Sequence, residues 1–104
     1  MANRTIRTCK QAYCIGKQPI EDTFTFCLAV QALSFYIENI NPGNYYAYDY
    51  NARIEEIIDT CQEALSLLEI GEEAKAEYVW WFNFWHETRR PRVLEWMKKT
   101  GVSA

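Results

Sequence analysis

The chain has 104 residues, of which 49% are hydrophobic, 15% are aromatic and 24% are charged, and its formal net charge is −3. This length and apolar content predict one folded domain over residues 1–104 and exclude a chain that is disordered throughout. With four glycines and three prolines, the chain has too few turn residues for a β-sandwich or β-barrel, so we expect a few long helices.

The sequence also indicates the cellular compartment in which the protein is expected. It contains no run of about 18 apolar residues, which excludes a helix that spans a membrane. The N-terminus is polar and lacks an apolar signal core, and the four cysteines are most simply read as reduced thiols. We therefore expect a cytoplasmic protein.

The charges are segregated along the sequence. Residues 1–18 contain four basic and no acidic side chains, residues 19–77 contain twelve acidic against two basic ones, and residues 78–104 contain five basic against two acidic ones. A chain with a pI of about 5.1 is a poor default binder of nucleic acid. The acidic centre is a more natural docking face for a basic partner.

Two helices are predicted in the first part of the chain. One covers about residues 4–15, where a strand is the alternative, and the second lies near 19–40, before the stop signal at Asn41-Pro42-Gly43. The second helix has apolar stripes on two opposite sides, so we expect it at the centre of the fold. The stripes are Ile20, Phe24, Cys27, Leu28 and Phe35 on one side, and Phe26, Val30, Leu33, Ile37 and Ile40 on the other.

A loop at 41–49 then leads to a predicted αα-hairpin near 51–89, whose helices cover about 51–70 and 72–89 with Gly71 between them. Asp49 or Asn51 is expected to cap the first of these helices. Pro91 is expected to end the second and to start a short helix over 91–100. The prediction is an all-α fold, a compact bundle of four to five helices.

Catalytic and metal-binding patterns are incomplete. Cys9 and Cys14 have the spacing of one zinc-ligand pair, but the second pair is missing, because Cys27 and Cys61 are far apart in sequence. His86 begins a sequence that resembles a metalloprotease helix motif, yet the position of the second histidine is Arg90. We therefore predict no catalytic residues, no metal, no cofactor and no enzymatic activity.

Residues 78–85 contain six aromatic side chains in eight positions. This arc is too wide for a single face of a helix, so either the helix is covered on two sides or some of the aromatic rings reach the surface. Three interpretations remain open at this point: core packing, a self-interface in a homo-oligomer, or a ligand pocket.

These patterns favour a small acidic protein that binds another protein, as an accessory or inhibitory factor. Small acidic proteins of mobile elements often act in this way, by masking the basic surface of a partner that binds nucleic acid. The expected partner-binding residues are exposed tyrosines and clustered carboxylates: Tyr45, Tyr46, Tyr48, Glu55, Glu56, Asp59 and Glu63.

Two other functions stay open. The first is a nucleic-acid-associated protein that uses the basic C-terminal residues, with tryptophans for base stacking: Arg89, Arg90, Arg92, Lys98 and Lys99. The second is an enzyme or ligand-binding bundle with an aromatic pocket lined by Trp80, Trp81 and Trp85.

Overall fold

The computed structural model describes residues 20–41, 43 and 47–100, and these residues form helices without any strand. The all-α prediction is thus confirmed for this part of the chain, whereas the helix or strand expected at 4–15 lies outside it. The helices are α1 (Thr23–Asn39), α2 (Ala47–Leu67), α3 (Glu72–Phe84) and α4 (Arg90–Thr100). A π-helical turn, Trp85–Arg89, joins α3 to α4, so residues 72–100 are one continuous helix.

Helix α1 begins at a capping box, a few residues after the start predicted near residue 19. The Asp22 carboxylate accepts a hydrogen bond from the Thr25 backbone N–H at 2.9 Å, and the Thr25 hydroxyl accepts one from the Asp22 N–H at 3.1 Å. These two bonds satisfy N–H groups that have no partner within the helix. The helix ends where the Ile40 N–H donates to the Tyr36 carbonyl.

Helix α1 packs against both α2 and α3, but its two apolar stripes are not covered equally. One stripe is fully buried, with Phe26, Leu33 and Ile37 among its members. The other stripe is only partly covered, because Ile20 is buried but Phe24, the next residue of the stripe, is exposed. The core of the described residues therefore lies mainly on one side of α1.

The joined helix completes this core with residues from both sides of the π turn. Tyr78, Trp85, Val93 and Met97 are all buried. The ring of Tyr78 meets that of Phe26 edge-on, with 5.8 Å between the ring centroids. Such a geometry places the positive edge of one ring against the negative face of the other.

The predicted helix break at Pro91 is wrong. A proline inside a helix removes one hydrogen bond, and its ring clashes with the carbonyl four residues earlier, here that of Glu87. The π turn ends at Arg89, two residues before Pro91, and the N–H of Arg90, which follows the turn, donates to the Trp85 carbonyl five residues back. Pro91 and Glu87 are both exposed, so this part of the joined helix faces solvent.

The predicted start of the helix at about 51–70 is also wrong. Helix α2 begins at Ala47, so Tyr48 lies in its first turn and not in the loop. Asn51 is therefore inside the helix and is not its cap, and it is buried, with 5% of its surface exposed. Tyr50 packs edge-on against Tyr36 with 5.0 Å between centroids, which draws this end of α2 onto α1.

Candidate interaction surface

The predicted acidic face on α2 is partly neutralised within the chain. Glu55 pairs with Arg90 of α4 at 3.1 Å, and Glu56 pairs with Arg53 at 2.6 Å. Both pairs are partly exposed, so each contributes little to stability, yet each reduces the charge that a partner would meet. Of the predicted carboxylates, Asp59 and Glu63 are exposed and form no ion pair with another described residue.

The predicted tyrosine contacts are divided by the structure. Tyr48 is 42% exposed on the first turn of α2 and remains available for contact. Tyr45 and Tyr46 lie outside the described residues. Tyr48 and the two unpaired carboxylates are thus the part of the predicted contact set that the structure places on the surface.

A larger exposed surface lies on α3, which buries a single side chain, that of Tyr78. Six residues on the opposite side of the helix are all exposed, and we call them the outer face of α3: Glu73, Ala76, Glu77, Val79, Trp80 and Asn83. Their spacing of three and four residues puts them in one strip along the helix.

Trp80 is the main apolar group of the outer face, with 57% of its surface exposed. Its ring stacks on Phe84, with centroids 5.3 Å apart and planes 12° apart, and meets Trp81 edge-on at 4.8 Å. A ring held by two neighbours loses little further conformational freedom when it binds a partner. The side chain of Trp80 is therefore both exposed and held in one orientation.

The π turn extends this stack with a cation. Phe84 and Arg89 are five residues apart, a spacing that an α-helix would rotate away from one face by about 140°. The wider turn brings the Arg89 guanidinium over the Phe84 ring, 5.5 Å from its centroid. The result is a row of Trp80, Phe84 and Arg89 in cation–π and stacking contact.

The aromatic side chains of residues 78–85, which we call the aromatic segment, thus lie partly in the core and partly on the surface. Tyr78 and Trp85 are buried, Trp81, Phe82 and Phe84 are half-buried, and Trp80 is exposed. Because Trp85 lies in the core and Trp80 faces outward, the two tryptophans do not line a common pocket. The sequence shows that the aromatic side chains span a wide arc of the helix. It does not show which of the rings are covered by α1.

The basic C-terminal residues are also divided. Arg90 is engaged with Glu55, and Lys98 is exposed on α4. Arg89, Arg92 and Lys99 instead line a cleft of about 390 Å³ together with Trp96. The sequence placed all five cations in one group, whereas the helix separates them by face.

Burial raises the pKa of two side chains in the described core. Burial raises the pKa of the Cys61 thiol to about 12 and, with smaller effects of Cys61 and Asp59, raises the pKa of the Tyr78 phenol. Both groups therefore stay neutral at physiological pH. His86 lies against Phe82, with its Nδ1 3.0 Å from the Phe82 carbonyl oxygen.

Two further findings concern ions and membranes. Within residues 20–41, 43 and 47–100, no three histidine, cysteine or acidic side chains come together as a metal site. In the same residues, no helix combines the length and the apolar character needed to cross a bilayer. Cys9 and Cys14 lie outside the described part of the chain.

Comparisons of this chain with protein-family models, with curated protein sequences and with solved structures gave no match.

Proposed function

We propose that this protein acts by binding another protein through the outer face of α3. The observation that carries the proposal is the exposed Trp80, held in place by Phe84 and Trp81 and flanked by the exposed Val79. Tryptophan is among the residues that most often dominate binding energy at protein interfaces, because a large ring is desolvated there. A rigid exposed tryptophan beside an aliphatic side chain is such an anchor.

The charges on the outer face indicate which charge a partner would need to carry. Glu73 and Glu77 lie on the same strip as Trp80 and form no ion pair with any described residue. A partner that fits would offer an apolar pocket for Trp80 with lysine or arginine residues beside it. Asp59 and Glu63 on α2 add to the negative potential that steers such a partner.

The same carboxylates argue against a second copy of this chain as the partner. A twofold interface uses one surface patch on both copies. A dimer through the outer face would therefore bring two copies of Glu73 and Glu77 into one interface. Repulsion between like charges there favours a different, basic partner.

An accessory or inhibitory role follows from this kind of partner. A small acidic domain that covers the basic surface of a nucleic-acid-binding protein competes with the nucleic acid for that surface. We place the interaction in the cytoplasm, where Cys27 and Cys61 would remain the free thiols that they are in the structure.

Site-specific photo-crosslinking tests the proposal. A benzophenone amino acid at Asn83, in the middle of the outer face, is irradiated in extract of the source cells. We expect an adduct with one protein that survives nuclease and disappears in a Trp80→Ser variant. The same amino acid at Ser66, which is exposed on α2, serves as the matched control and should give no such adduct.

Two outcomes would contradict the proposal. One is an adduct that forms equally from positions 66 and 83, or that does not depend on Trp80. The other is a purified protein that is dimeric by light scattering and becomes monomeric in Trp80→Ser, which would make the outer face a self-interface.

A further inference from the structure

The cleft on α4 combines cations with an aromatic ring. Arg89, Arg92 and Lys99 line it, Trp96 forms part of its wall, and Val93 lies buried at its base. These positions fall three, four and seven residues apart, so they share one face of the helix. A cleft of about 390 Å³ is within the size range of small-ligand sites, roughly 300–1,000 Å³.

The cations of the described residues divide into those with an ion-pair partner and those without one. Arg53, Lys75 and Arg90 each form an ion pair within the chain. Arg89 and the other two cleft cations form none with any described residue. The cleft contains one carboxylate, Glu95, so its lining keeps a net positive charge.

Arg89 is held in place without being neutralised. Its guanidinium lies over the Phe84 ring, 5.5 Å from the centroid, and its buried Nε has no hydrogen-bond partner among the described residues. A buried donor of this kind costs free energy until an acceptor reaches it. The planar fork of an arginine matches the oxygens of a phosphate group.

Trp96 supplies the second element of recognition. Part of its ring packs against the core, and the ring also lines the cleft beside the cations. An aromatic ring fixed in this way offers a surface on which a planar base can stack. We propose that the cleft binds a nucleotide unit, with its phosphate on Arg89, Arg92 and Lys99 and its base on Trp96.

The carboxylates on the outer face of α3 do not prevent this binding, because they lie far from the cleft along the joined helix. Lys99 is 26 residues beyond Glu73 along the joined helix, a separation of about 39 Å. Exposed charges are largely screened beyond about 8 Å at physiological ionic strength. The cleft therefore presents its own positive charge to an anion, whatever protein binds at α3.

The nucleotide could be free or part of a single strand, and one titration separates these sources. The probe is a fluorescein-labelled oligothymidylate of roughly 12 nucleotides, a length within the range that single-strand binders cover. Its anisotropy is followed against the full-length protein at several salt concentrations. Thymidine monophosphate, inorganic phosphate and heparin are tested as competitors.

We expect the logarithm of the association constant to fall with the logarithm of salt concentration with a slope of about −2, for three contacts to a single strand. Arg92→Ala should reduce the slope to about −1.4. Lys98→Ala, the matched control, removes an exposed cation of the same helix outside the cleft and should leave the slope unchanged. Trp96→Leu should weaken binding roughly tenfold, and Trp96→Phe should restore most of it.

The competitors identify the source of the nucleotide. Competition by thymidine monophosphate at concentrations where inorganic phosphate has no effect assigns the cleft to a free nucleotide, whereas competition by unlabelled strand alone assigns it to single-stranded nucleic acid. The proposal is overturned by equal losses in Arg92→Ala and Lys98→Ala, by full binding in folded Trp96→Leu, by heparin competition independent of Trp96, or by no binding at about 50 mM salt.

Discussion

The guanidinium of Arg89 lies over the ring of Phe84, with 5.5 Å between the guanidinium carbon and the ring centroid. Five residues separate the two side chains, and only the π turn at Trp85–Arg89 brings them to the same face of the helix. This contact connects the exposed stack at Trp80 to the cationic cleft on α4. The π turn therefore places Arg89, which lines the cleft, against the aromatic ring that supports Trp80.

The first prediction concerns the pairing of the π turn with Pro91. Deleting the exposed Thr88 should convert the π turn to an α-helix and keep the faces of α3 and α4 in phase, because a π turn contains one extra residue. Pro91 would then clash with the turn before it. We expect the deletion to lower the free energy of unfolding by about 3 kcal/mol.

The control for this prediction is the same deletion in a Pro91→Ala background. There it should cost less than about 1 kcal/mol, since the clashing ring is gone. Urea unfolding of the four proteins measures the cycle. Equal costs of the deletion with and without Pro91 would show that the turn does not accommodate the proline.

The second prediction concerns Asn51, whose side chain is buried in α2 while its Oδ1 has no hydrogen-bond partner within the described part of the chain. Replacing it with alanine removes an unsatisfied polar group and improves the helix propensity. We expect Asn51→Ala to raise the free energy of unfolding by about 1 kcal/mol. Asn83→Ala, on the exposed side of α3, should gain only the propensity difference, a few tenths of a kcal/mol. A loss of stability in Asn51→Ala would contradict this account of the buried amide.

The third prediction is a loss of stability at alkaline pH. In the folded state the pKa of Cys61 is about 12, against 9.0 for an unperturbed thiol, so above pH 9 the unfolded chain loses its proton first. Ionisation then favours unfolding, and the stability present below pH 9 declines as the pH rises toward 12. We expect a decline of roughly 1 kcal/mol by pH 10 from this group.

Chemical denaturation at pH 8 and at pH 10 measures this effect. Cys61→Ala should reduce the difference between the two pH values, although it lowers the stability at both by leaving a cavity. Cys27→Ala, at a half-buried thiol, is the matched variant and should keep the full difference. An unchanged pH dependence in Cys61→Ala would rule out Cys61 as its source.

The sequence predicts the helices where periodicity and punctuation agree. In α2 the apolar residues Ile54, Ile57, Ile58 and Cys61 recur at helical spacing and are all buried, and Gly71 lies between α2 and α3. The helix break predicted at Pro91 is wrong because the sequence does not reveal the π turn. Such a turn depends on how the flanking segments pack and has no simple residue signature. The division of the aromatic segment could not be read from the sequence either, since which side of α3 is covered depends on the position of α1.

The candidate surfaces were only partly predictable. The Arg92, Trp96 and Lys99 cluster shows helical spacing in the sequence, but the pairing of Arg90 with Glu55, 35 residues away, requires the folded contact between α2 and α4. The acidic face was overestimated for the same reason, because sequence spacing cannot show which carboxylates are paired. The proposal that Trp80 binds a partner depends on its exposure and its support by Phe84, neither of which the sequence shows.

The most direct test of the central claim is the affinity of the crosslinked partner for two variants of this protein. Trp80→Ser removes the anchor of the outer face, and Leu67→Ser removes an apolar side chain at the end of α2 that is even more exposed than Trp80. If the outer face of α3 is the binding surface, Trp80→Ser should weaken binding by roughly thirtyfold or more, and Leu67→Ser by less than about threefold. Equal affinities for the wild type and Trp80→Ser would contradict it.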